Sequence, residues 1–211
     1  MQLISHRGCW SRPEEQNTLQ AFARSFALGF GTEVDFRDSE GDLVVSHDPA
    51  RSGAISALEF LTLRQGYDPR LPVAINIKAD GLQSLVKAAL IKAGVSSYFL
   101  FDMSIPDAVK SHKQGLRIYA RHSDIETKPV LYSESAGVWM DAFFDHDWIT
   151  APQITAHLDA GKEVCLVSPE LHGRSPLAFW ALLRSTGLAR REGLTLCTDR
   201  PEEARRFLLD D

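Results

Sequence analysis

The chain has little cysteine: Cys9, Cys165 and Cys197 lie far apart, with no CxxC pair among them. That spacing excludes a disulfide framework and predicts reduced, mostly buried thiols. Long apolar runs are absent too. Nothing approaches the roughly 18 residues of a membrane span, and the stretch 175–183 is only a short apolar helix face. The opening Met-Gln-Leu-Ile-Ser-His-Arg-Gly lacks the basic start and apolar core of a signal peptide, so a cytoplasmic location is expected. There is no basic excess: 23 Lys and Arg against 28 Asp and Glu give a net charge of −5. A general electrostatic grip on nucleic acid or anionic lipid is thereby excluded. Hydrophobic residues at 44% and charged residues at 24% exclude a disordered chain. No linker, low-complexity tract or composition shift marks a boundary, so residues 1–211 are expected to form one domain.

What is present is alternation. Short strand-like apolar runs recur at 2–5, 32–36, 73–78, 98–101, 116–120, 137–141, 163–167 and 194–197. Most are separated by segments of helical spacing. Leu19, Phe22, Ala23, Phe26 and Ala27 follow the i, i+3, i+4 pattern, with Asn17 or Thr18 as cap and Gly29 as stop. Leu82, Leu85, Val86 and Leu90 repeat the pattern before Gly94, and a third helix runs from Pro176 to Gly187. A fourth opens at Asp199-Arg-Pro-Glu-Glu, where a capping residue is followed by an early proline and two acids. The extra run 43–46, after the Gly41-Asp42 turn signal, extends the second unit. Eight strands alternating with helices predict parallel strands and an α/β class: a closed (β/α)8 TIM barrel, or in the alternative an open doubly wound sheet.

In a barrel of this kind the C-terminal strand ends face the active site. Those ends carry His6-Arg7, Glu33 and Asp35, His47-Asp48, Asn76 and Lys78, Asp102, Asp141, Glu170 and Asp199. Glu33 and Asp35 are i and i+2 of one strand and so point to the same side. Two such carboxylates repel unless a proton or a cation sits between them, and Mg²⁺ and Ca²⁺ take oxygen ligands of this kind. The pair would also suit a solvated strand edge, but it lies within an apolar run. His6 and His47 each follow a strand, and imidazoles titrating near neutrality suit general acid–base chemistry. Arg7 offers a fork of donors for a phosphate oxygen, and Lys78 a point charge. His112, His122, His146, His157 and His172 fall in helices or loops without evident partners and receive no role.

Ser5-His6-Arg7-Gly8, the segment 17–22 (Asn-Thr-Leu-Gln-Ala-Phe), Glu33-Val34-Asp35 and Ser46-His47-Asp48-Pro49 together resemble the glycerophosphodiester phosphodiesterase family. Trp139-Met140-Asp141 and the closing Cys197-Thr198-Asp199-Arg200-Pro201 extend the resemblance to nearly the whole chain. It implies a compact phospholipase-C-like (β/α)8 barrel that hydrolyses a phosphodiester with one bound divalent cation, Mg²⁺ or Ca²⁺. It assigns acid–base roles to His6 and His47, phosphate contact to Arg7, and metal binding to Glu33 and Asp35. The implied mechanism is attack on phosphorus by a neighbouring substrate hydroxyl, one histidine taking its proton and the other protonating the leaving oxygen. A cyclic phosphate is then opened by water, or released as product if the enzyme is a lyase. The metal and Lys78 would stabilise the added negative charge.

Two departures stand out. Where the family carries Glu-x-Lys on the third strand, this chain reads Asn76-Ile77-Lys78; an amide oxygen still binds a hard cation but brings no charge. Asp80 or Asp102 would compensate, Asp102 at the fourth strand end being the better placed. The family's Pro-Glu-Asn-Thr is altered to Pro13-Glu14-Glu15-Gln16-Asn17-Thr18, which changes the approach to the first helix. Only residues 49–55 stand where family members commonly carry a substrate-contacting insertion. The expected substrate is therefore a small phosphodiester of glycerophosphodiester, lipid-head-group or glycan type. The polar loop 168–174 suits either a head-group contact or a helix cap. The alternative from another class is a non-catalytic phosphate- or sugar-phosphate-binding barrel with a degenerate metal site.

Overall fold

A computed structural model describes residues 1–210. Among them nine strands alternate with seven α-helices. The strands are β1 (Gln2–Ser5), β2 (Gly31–Ser39), β3 (Asp42–Val45), β4 (Val73–Ile77), β5 (Tyr98–Phe101), β6 (Tyr119–Ser123), β7 (Gly137–Asp141), β8 (Glu163–Val167) and β9 (Leu194–Thr198). The helices are α1 (Leu19–Ala27), α2 (Ala57–Arg64), α3 (Gln83–Lys92), α4 (Ile105–Lys113), α5 (Ala151–Asp159), α6 (Leu177–Ser185) and α7 (Pro201–Leu208). The chain divides into two compact units, one of residues Ser5–Ile118 and one of Met1–Ile4 with 119–210. No helix among the described residues is long and apolar enough to cross a membrane.

In the Ser5–Ile118 unit, β2 pairs in parallel with β4 and β4 with β5, while β3 folds back antiparallel on β2 through Glu40-Gly41. The extra run at 43–46 thus belongs to a hairpin of the second unit of the alternation, as its position implied. Core formation here is aromatic. Phe22 and Phe60 meet edge to face with ring centroids 4.5 Å apart, and Phe36 stands 6.0 Å from Phe60. All three rings are fully buried, locking α1 and α2 onto β2, at about 1.5–3 kcal/mol of apolar burial for each. Helix α1 starts where the Thr18 hydroxyl accepts from the Ala21 N–H at 3.2 Å, so the cap is Thr18 rather than Asn17.

In the other unit, β6, β7, β8 and β9 follow one another in parallel register. Its core includes Trp180, Met140, Leu166 and Leu196, all without solvent exposure. The one displaced strand is β6, expected at 116–120 and found at Tyr119–Ser123. The apolar run ends at Ala120, yet the ladder continues as Arg121, His122 and Ser123 pair with Trp139, Met140 and Asp141. Polar side chains there find partners, so hydrophobicity alone misplaces the strand.

Candidate active site at the strand ends of the Ser5–Ile118 unit

The site begins where β1 runs out. Buried Ser5 hydrogen-bonds Ser25 at 2.7 Å and Thr32 at 2.9 Å, fixing the strand end against α1 and β2. Arg7 and Gly8 then turn the chain through the left-handed region, at φ 59° and 86°. A Cβ on Gly8 would stand 2.7 Å from Ala21 backbone and side-chain carbons, so only glycine lets this turn pack on α1. The turn is held from outside as well, the Trp10 indole N–H donating to the His6 carbonyl at 2.9 Å.

This turn delivers Arg7 to the two carboxylates of β2. Its backbone N–H donates to Glu33 Oε2 at 3.2 Å, and its Nε lies 2.9 Å from Asp35 Oδ2. A second guanidinium nitrogen donates to Gln16 Oε1 at 3.3 Å. Asp35 also takes the Asn17 amide at 2.8 Å and faces the Lys78 ammonium at 3.3 Å. Arg7, Glu33, Asp35 and Lys78 thus come together as one cluster. Asn17 joins it although the sequence suggests only a helix cap there; the buried Asp35 it serves is the partner that pattern alone cannot supply. Glu33 and Asp35 are fully buried. Burial first, and the neighbouring Asp35 charge second, hold the Glu33 carboxyl well above its ordinary range.

Asn76 lies beside this cluster because β4 pairs Asn76 with Asp35. Asn76 Oδ1 is buried and accepts no hydrogen bond, while the neighbouring Asp35 Oδ1 is buried with only the Lys78 ammonium, 3.3 Å away, against it. Buried acceptors left open in this way are few in folded proteins, and each calls for a partner. A hard cation is a fitting one, taking carboxylate and amide oxygens alike. Among the described residues no three His, Cys, Asp or Glu side chains group as a metal site, the third position beside Asp35 being an amide. Asp102 follows β5 in the left-handed region at φ 66°. Register pairs Phe101 with Asn76, so the face that carries Asp35 and Asn76 continues onto Phe101 rather than Asp102.

A cleft of about 880 Å³ opens over Arg7, Asn17 and His47, walled by Glu14, Arg51 and the turn 52–54. His47 is exposed, and its Nδ1 stands 2.9 Å from Asp48 Oδ1. That hydrogen bond holds the Asp48 carboxyl below its ordinary range. In the neutral tautomer that donates Nδ1–H to Asp48, Nε2 is the acceptor a general base needs. His6 adjoins Arg7 at the start of the turn. Of the two acids in the altered segment, Glu14 lines the cleft, whereas Glu15 pairs with Arg24.

The chain is similar over nearly its whole length to solved phosphodiesterases. A glycerophosphodiester phosphodiesterase from Agrobacterium tumefaciens superposes with a TM-score of 0.70 at 20% identity, covering 95% of this chain and 97% of that one. A glycerophosphodiester phosphodiesterase from Parabacteroides distasonis gives 0.68 at 16% identity, over 98% and 96%. A phosphodiesterase from Oleispira antarctica, solved with the product sn-glycerol-3-phosphate, gives 0.65 at 16% identity, over 98% and 96%. The chain has the (β/α)8 TIM-barrel fold of the glycerophosphodiester phosphodiesterases. At these identities the likeness is one of fold. No family model and no curated protein matches the sequence.

On this phosphodiesterase fold the unit of Met1–Ile4 and 119–210 carries polar strand ends of a different kind. Glu170 accepts from the Ser168 and Thr198 hydroxyls and from the Asp199 N–H. Asp141 takes the His172 ring at 2.7 Å and the Ala142 N–H at 2.7 Å. Arg174 donates to the carbonyls of Ala142, Phe143 and Phe144. The loop 168–174 therefore braces its own unit. The expectation that the later histidines lack partners is overturned for three of them. His122 bonds His157 at 2.9 Å, His157 bonds the Tyr132 hydroxyl at 2.9 Å, and His172 bonds Asp141. These partners lie 25 to 35 residues away in sequence, which no local pattern reveals.

Proposed function

We propose that the chain is a metal-dependent phosphoric diester hydrolase acting on a small glycerophosphodiester-like substrate. One observation carries the reading: on the β2–β4 face the buried Asn76 Oδ1 is left without a hydrogen bond, in register with the buried Asp35 carboxylate and in a cluster with Glu33, Arg7 and Lys78. Motif order and the fold of the neighbours support it, one of those neighbours holding sn-glycerol-3-phosphate. Glu33, Asp35 and Asn76 would hold one Mg²⁺ or Ca²⁺. Such an ion supplies charge stabilisation at a phosphoryl oxygen.

The remaining chemistry belongs to side chains. Arg7 and Lys78 orient the phosphate and offset its growing negative charge. His47, its tautomer set by Asp48, accepts the proton of the attacking substrate hydroxyl. His6 gives a proton to the leaving oxygen, and the roles reverse when water opens a cyclic phosphate.

The competing reading is a non-catalytic phosphate-binding barrel. It draws on Asn76 in place of a third carboxylate, and on Asp35 already being paired with two cations. Turnover of bis(p-nitrophenyl) phosphate, assayed with EDTA, Mg²⁺, Ca²⁺ or Mn²⁺, decides between them. Catalysis requires metal-dependent turnover that His6→Ala and His47→Ala each reduce by about 10²–10⁴-fold. Absence of turnover with every ion, or turnover indifferent to both substitutions, would sink the enzymatic reading. A panel of glycerophosphodiesters, lysophospholipids and glycan phosphodiesters then ranks substrates.

A further inference from the structure

Strand β2 is flanked by β3 on one side and β4 on the other, and its ladders end at different heights from the proposed chemistry. The last backbone bonds are Ser46 N–H to Asp35 O at 3.0 Å and Lys78 N–H to Phe36 O at 2.9 Å. The carbonyl of His47, the residue after Ser46, and that of Lys78 itself lie past these bonds. Arg37, two residues after Asp35 and so on the same face of β2, reaches them both. One terminal guanidinium nitrogen donates to His47 O at 3.1 Å, and the other to Lys78 O at 2.9 Å.

We propose that Arg37 is the positioning residue of this site, a guanidinium clamp that fixes the backbone of His47 relative to that of Lys78. The inference rests on the phosphodiesterase reading for the roles of those two residues; the clamp itself rests on geometry alone. A planar, permanently charged fork holds two acceptors at a fixed separation. A lysine in its place would reach one carbonyl at a time, and a glutamine would lack the span. The short segment 49–55 adds to the need, because the anchors of the turn that His47 opens are local to it: Ser46 Oγ to Asp48 O at 2.7 Å, Val45 N–H to Ile55 O at 2.8 Å and Ala54 N–H to Arg51 O at 3.2 Å, none of them reaching β4. Without Arg37 the cleft wall bearing His47 loses its tie to the Lys78 backbone that follows β4. Arg37 makes no contact with the reacting atoms in this scheme. It acts through the backbone of two residues that do.

The test compares wild type with Arg37→Gln and Arg37→Lys by amide hydrogen exchange on the free protein, and by kinetics. In Arg37→Gln the Ser46 and Lys78 amides should exchange about tenfold faster, while those of Val34 and Ile75 in the strand interiors stay unchanged. The kcat should fall by about 10–100-fold with KM within threefold, as for a displaced acid–base group, and the pH limb belonging to His47 should shift. Arg37→Lys should recover one amide and part of kcat. Unchanged exchange at Ser46 and Lys78 overturns the clamp; so does an equal rise at all four amides, which would mark a general loss of stability. Wild-type protein without turnover would remove the phosphodiesterase reading, and the exchange measurement would still decide the clamp.

Discussion

The two units treat one strand-end carboxylate each, Glu170 and Asp35, in different ways. In the unit of Met1–Ile4 and 119–210, Glu170 is closed off by two hydroxyls and an N–H, and Ser168 in turn accepts from the Trp180 indole at 3.0 Å. In the Ser5–Ile118 unit, Asp35 draws two cations and an amide, its Oδ1 met only by the Lys78 ammonium, next to an Asn76 oxygen that stays open. A satisfied network stabilises and specifies a core, whereas an open buried acceptor is an unmet demand for a ligand. Charged residues at strand ends are therefore not equivalent. What separates them is whether the protein itself completes their hydrogen bonding.

The comparison breaks most sharply at Asp35. Replacing it with alanine strands Arg7 and Lys78 without their counter-charge, and denaturant unfolding should register a loss of about 3–5 kcal/mol. Turnover should vanish together with the metal response. Glu170→Ala should cost less, about 1–3 kcal/mol from unsatisfied hydroxyls and N–H, and should leave kcat within twofold if that network is purely structural. A large loss of kcat with stability preserved would instead move Glu170 into the working machinery.

Asn76→Glu sharpens the contrast from the other direction. A third carboxylate beside Asp35 should tighten Mg²⁺ or Ca²⁺ by about tenfold, read as a larger rise of Tm with added ion. Unaltered response to both ions would separate Asn76 from the metal site.

The smallest effect is that of pH on the histidine chain of the other unit. Burial, then the neighbouring His122, hold His157 down at about 4. A histidine whose folded pKa lies below its unfolded value of about 6.5 leaves stability complete above pH 6.5. Between that pH and about 4 the unfolded chain takes up a proton that the folded chain refuses, so stability declines. Unfolding curves at pH 7.5 and 5 should differ in this direction. His157→Gln, which removes the titrating group, should narrow the difference.

Much of this was legible in the residues. The strands at 2–5, 98–101, 137–141 and 163–167 appear with the expected limits, because the length of a short apolar run and its flanking turn residues mark a buried strand. The pairing of Glu33 with Asp35 on one side follows from strand parity. Asn17 on Asp35 and Arg37 across His47 and Lys78 were not legible in the same way, since each depends on a partner 10 to 41 residues distant. The histidine chain was hidden for the same reason.

Sequence by itself determined the α/β alternation, the residue types at the strand ends and the motif order that resembles a phosphodiesterase. These are local properties, set by periodicity, turn chemistry and spacing. Tertiary structure alone decided which of those strand-end groups are closed and which stay open. Glu170 and Asp35 look alike along the chain; the hydrogen bonds that distinguish them come from segments brought close only by the fold.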